Sequence, residues 1–99
     1  VKAVAAFGHT PGHSMFMVES EGKRFLIWGD LTHAMVVQMP HPEATMVFDI
    51  DPAAAAASRK SVLEYAAGEG LAVGGMHVPF PGMGTMKKAA QGYSFTPLP

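Results

Sequence analysis

The sequence predicts an α+β fold, a mixed and largely antiparallel sheet with one main helix packed on one face. Three observations lead there. Short runs of Val, Ala, Phe and Met alternate with Gly- and Pro-containing breaks, the punctuation of strands and loops. One stretch alone, between Asp51-Pro52 and Gly68, has both helix boundary residues and helical spacing of its apolar positions. Hydrophobic residues make up 48% of the 99 residues and charged residues 15%, a composition that packs rather than stays disordered.

Val1 to Phe7 is an apolar run ended by Gly8 and reads as a buried strand, and Gly8-His9-Thr10-Pro11-Gly12-His13 reads as loop. Ser14 to Ser20 and Lys23 to Trp28 flank Glu21-Gly22 and read as a hairpin whose second strand stops at Gly29-Asp30. From Leu31 to Ile50 the pattern is mixed. Met35-Val36-Val37 suits a short strand or a turn of helix, Pro40-His41-Pro42 forbids a regular helix, and Thr45 to Phe48 is expected to form another short strand. Asp51 then caps a helix whose first position is Pro52, where a missing N–H is no loss. That helix is expected to run to Ala67 with Gly68 as its stop, burying a stripe of Ala55, Val62, Leu63 and Ala66. Leu71-Ala72-Val73 is a strand leading into Gly74-Gly75-Met76-His77, Val78 to Gly84 is loop, and Thr85–Ala89 with Tyr93–Thr96 form a last hairpin about Gln91-Gly92.

The length allows one small domain, residues 1–99. The formal net charge is −1, and basic residues cluster only as the pairs Lys23-Arg24, Arg59-Lys60 and Lys87-Lys88, which argues against a nucleic-acid partner. No apolar run approaches the ~20 residues of a membrane span, so a membrane partner is not expected either. Cysteine is absent, which excludes disulfides and thiolate metal sites and leaves His and carboxylate as the available ligands. The chain opens at Val1 with no initiator Met and no leader pattern, from which we expect a segment cut from a longer protein, its compartment unreadable here.

Three polar residues share one kind of address. His9, Asp30 and His77 each follow a buried strand, on a loop, next to or near glycine. Loops beyond strand ends are where sites are assembled in sheet proteins, and two imidazoles with a carboxylate suit Zn²⁺ or another divalent first-row metal. Taken singly, each has a structural explanation: a loop histidine, a turn former, a half-buried histidine. The repetition of the pattern is what argues for a site.

Gly8-His9-Thr10-Pro11-Gly12-His13-Ser14 resembles the third metal-binding motif of the metallo-β-lactamase superfamily, Gly29-Asp30-Leu31-Thr32-His33 its fourth and Gly75-Met76-His77 its fifth. Trp28-Gly29-Asp30-Leu31, Phe48-Asp49-Ile50-Asp51-Pro52 and His77-Val78-Pro79-Phe80-Pro81-Gly82-Met83-Gly84, closing with Gly92-Tyr93, further resemble the methyl-parathion-hydrolase-like branch. The resemblance implies the C-terminal half of an αβ/βα sandwich with two divalent metal ions, zinc foremost, at the loop edge between the sheets. It implies that His9 ligates the first metal, His77 the second, and Asp30 bridges both and is thereby the catalytic residue. The implied reaction is attack of a metal-bound hydroxide on an ester, lactone, amide or phosphoester. Manganese, iron and cobalt also suit these ligands. His13 and His33 stand beside the ligands in supporting positions, His41 is expected in solvent, and Phe80 and Met83 are candidate contacts to an apolar small-molecule substrate.

The family's HxHxDH motif is missing from these residues. Each metal would keep one terminal ligand and the shared aspartate, too few for a tight site, so the chain by itself is expected to hold a partial or empty site and to be weakly active or inactive. The alternative is a non-catalytic, self-associating module derived from the same fold. Whether HxHxDH lies upstream of Val1 in the reading frame separates the two. A half-sandwich also leaves a sheet face bare, with Val4, Phe7, Phe16, Val18, Leu26 and Trp28 as candidates for exposure. We therefore expect a homodimer or larger assembly, or a missing N-terminal half, on the face opposite the helix.

Overall fold

A computed structural model describes all residues, Val1–Pro99. Six strands and two helices follow one another as β1 (Lys2–Ala5), β2 (Ser14–Ser20), β3 (Lys23–Ile27), α1 (Met35–Gln38), α2 (Pro52–Gly68), β4 (Ala72–Gly74), β5 (Met83–Lys88) and β6 (Tyr93–Pro97). The strands form one sheet in the order β1-β2-β3-β4-β5-β6. All neighbours are antiparallel except β3 and β4, which run parallel and are joined by the crossover that contains α2. No helix is long and apolar enough to cross a membrane.

Helix α2 starts as its sequence directs. The Asp51 side chain accepts the Ala54 N–H at 3.0 Å, and Pro52 takes the first helical position. Its buried side is Ala55, Arg59, Val62, Leu63 and Ala66. The C-terminus lies slightly beyond the expected stop: Gly68 is still helical, and the chain turns at Gly70, whose φ of +60° favours glycine.

The core is the layer between α2 and one face of the sheet. Met15, Leu26, Val73 and Met86 come from the strands, Val62, Leu63 and Ala66 from the helix, and Trp28, Leu31, Met35 and Met39 from the segment after β3. Strand alternation sends the other set of side chains to the opposite face. The register aligns Ala3, Phe16 and Ile27 with Gly74 and Met83 there, and Val18 and Phe25 with Ala72 and Thr85. Phe16 (46% exposed), Ile27 (40%) and Phe7 (52%) remain open on the molecule.

Three expectations need correction. Thr45–Phe48 forms turns, not a strand: the Asp49 N–H closes a turn on the Met46 carbonyl, and no neighbouring strand is available to pair with this segment. Leu26 and Trp28 are fully buried against the helix layer, because alternation within β3 sends Leu26 toward α2 and Ile27 to the open face, and Trp28 packs under Gly75. Val4 also lies on the helix side, partly buried against the core.

Candidate metal centre

The sheet topology brings the candidate residues to one edge. β1 and β3 both run antiparallel to β2, and β4 runs parallel to β3, so the C-terminal ends of β1, β3 and β4 point the same way. His9 follows β1, Asp30 follows β3 and His77 follows β4; His13 precedes β2, whose N-terminal end lies at that same edge. Asp30 sits in the middle. Its Oδ2 is 3.3 Å from His9 Nε2, and its Oδ1 is 3.5 Å from His77 Nε2. Oδ1 is buried and makes no hydrogen bond. One ring nitrogen each from His9 and His33 and one carboxylate oxygen of Asp30 all lie within 4.8 Å of one another. Lone pairs that converge at these separations without hydrogen-bonding one another leave space for a cation between them, so the donor set fits a divalent metal.

Each of these side chains is held from behind. His9 Nδ1–H donates a hydrogen bond of 2.9 Å to Asp49 Oδ1, inside the fold, which leaves the Nε2 lone pair facing Asp30. Burial pushes the Asp49 carboxyl up, but the Met46 amide and His9 outweigh it, and the net pKa lies below the usual carboxylate value. His13 donates from Nδ1 to the Ala6 carbonyl at 2.9 Å and accepts the Asp30 N–H on Nε2 at 3.0 Å, which sets its tautomer and fixes the main chain of Asp30. Gly29 makes that contact possible. Its φ is +59°, and a Cβ there would lie 2.9 Å from His13 Nε2. Gly8 serves likewise on the other side, because a Cβ would meet the α2 backbone at Ala55. His77 has φ +61°, an uncommon conformation for a non-glycine residue, held at the site.

His33 occupies the middle of the cluster. Its ring centroid is 4.7 Å from His9, 4.9 Å from His77 and 5.0 Å from Phe48, and its Nδ1 is buried without a hydrogen-bond partner. Burial, then the neighbouring His9, lower its pKa below the ordinary histidine value, partly offset by Asp30. The buried Gln38 accepts the His33 N–H at 2.6 Å and the Ala34 N–H at 3.2 Å, and donates to the Ala44 carbonyl at 3.1 Å. Arg59, 1% exposed, donates from α2 to the carbonyls of Leu31, Pro42 and Ala44. Together these two side chains pin the 31–44 segment that carries His33.

Asp49, Phe48, Gln38 and Arg59 were not among the residues expected at or behind the site. Arg59 carried a readable signal: it falls four residues after Ala55 and four before Leu63, a cation on the stripe meant to be buried. Asp49 carried a weaker one, an acid flanked by Phe48 and Ile50. Of the expected substrate contacts, Phe80 projects into solvent at 94% exposed, and Met83 opens β5 on the bare sheet face opposite Gly74. The aromatic ring that packs on the histidines is Phe48. His41 is half exposed and lies 3.7 Å from Glu43, away from the cluster.

The metallo-beta-lactamase superfamily profile matches residues 2–77. The chain belongs to the metallo-beta-lactamase superfamily. Two solved superfamily-like structures align with nearly all of it. AidC, a dizinc quorum-quenching lactonase in complex with a product, is 33% identical with a TM-score of 0.92 over 98% of this chain and 33% of that one. The hydrolase AbOPH of the beta lactamase superfamily is 32% identical with a TM-score of 0.94 over 99% of this chain and 34% of that one. The chain thus spans about a third of the length of these structures. No curated protein matches it. The six-stranded mixed sheet with one main helix is the superfamily fold in this region.

Proposed function

We propose that these residues form the metal-binding C-terminal half of a binuclear metallohydrolase of the methyl-parathion-hydrolase-like branch, acting on an ester, lactone, amide or phosphoester. The observation that carries the reading is the convergence of His9 and His77 on opposite oxygens of Asp30. A carboxylate approached in this way suits a bridging ligand between two cations. His9, Asp30 and His77 would hold part of the coordination of divalent metals, which would supply Lewis acidity and bring the pKa of bound water toward neutrality. The chain's own residues orient and constrain: Asp49 directs the His9 lone pair, His13 fixes Asp30, and Gln38 with Arg59 hold the loop beneath His33. The remaining ligands come from outside these residues, in an N-terminal half bearing HxHxDH. The dizinc lactonase and the AbOPH hydrolase at about one-third identity support a hydrolytic parent.

Equilibrium dialysis against Zn²⁺, with hydrolysis of a lactone, an aryl ester and a phosphotriester, tests this. Alone the chain should bind zinc weakly at most and hydrolyse little; with a half bearing HxHxDH supplied it should bind zinc tightly and hydrolyse one of these substrates, and Asp30→Ala should lose both. Failure of the chain to take up any divalent cation when joined to a half bearing HxHxDH would overturn the reading. A second reading, a non-catalytic self-associating module, is favoured by the bare face of Phe16, Ile27 and Phe25. A second copy covering that face would account for it as well as an N-terminal half does.

A further inference from the structure

We draw no further inference here: the strongest candidate, the apolar groove between α2 and the helix side of β1, β2 and β3, bordered by Val4, Met15, Met17, Leu26, Val62 and Tyr65, carries nothing because nothing in the structure shows what covers it.

Discussion

Arg59→Met removes a buried cation that holds the floor of the site, and its cost follows from three hydrogen bonds. The guanidinium donates to the carbonyls of Leu31 at 2.9 Å, Pro42 at 2.8 Å and Ala44 at 2.8 Å. Methionine fills much of the same volume but donates nothing. The Ala44 carbonyl keeps its bond from Gln38, so two carbonyls lose their only side-chain partner. A buried acceptor left unsatisfied costs about 1–3 kcal/mol, which gives a gross loss of about 2–6 kcal/mol. Removing the cation offsets part of this, because burial disfavours the charged guanidinium and lowers its pKa against a weaker opposing pull from Asp49. We expect a net loss of about 2–4 kcal/mol, a large share of the roughly 5–15 kcal/mol that stabilises a small domain. At about 4–8 °C per kcal/mol for a domain of this size, Tm should fall by about 10 °C or more. Arg59→Lys should recover little, since an ammonium cannot reproduce the planar fork on three carbonyls. Urea denaturation with unchanged m-value is the assay. A loss below about 1 kcal/mol for Arg59→Met would refute the claim that Arg59 holds the 31–44 segment.

Asp49→Ala leaves the His9 Nδ1–H and the Met46 N–H without their acceptor; divalent-cation affinity should drop about 10–100-fold by calorimetry while far-UV dichroism stays unchanged. Gly29→Ala places a Cβ against His13 in a left-handed conformation and should cost about 1–2 kcal/mol in denaturant titration, with disturbed His13 and Asp30 resonances; an unaltered spectrum would contradict the close approach. Ile27→Glu puts a charge in the centre of the bare face between Phe16 and Gly74, and sedimentation at micromolar concentration should show less self-association than the unmutated chain. An unmutated chain that sediments as a monomer would exclude a second copy as the cover of that face.

Local rules set much of this fold in a way that can be read from residues. Asp51-Pro52 specifies where α2 begins, because a capping carboxylate and a ring without an N–H act within one helical turn. Both hairpins are legible for the same reason, since a Glu-Gly or Gln-Gly turn and its flanking apolar runs are short-range signals. His9, Asp30 and His77 were readable as a group because each follows a strand and a glycine, and strand ends are where loops gather. Which face of a strand is covered was not readable for β3. Leu26 and Ile27 are equally apolar, and only the placement of α2 decides that one is buried and the other open.

Local sequence therefore specified α2, the two hairpins and the strand ends that carry the candidate site residues, in their order along the chain, but not the turns at Thr45–Phe48. The tertiary structure alone decided how those donors are supported. Asp49 stands 40 residues from His9, and Arg59 28 residues from Leu31. No local pattern encodes such pairs, because a hydrogen bond between distant residues exists only once the sheet register and the α2 crossover have brought them within about 3 Å. The position of His33 has the same origin. Its spacing from Asp30 marks it as nearby, but only the 31–44 loop, folded back on Gln38 and Arg59, sets its ring between His9 and His77.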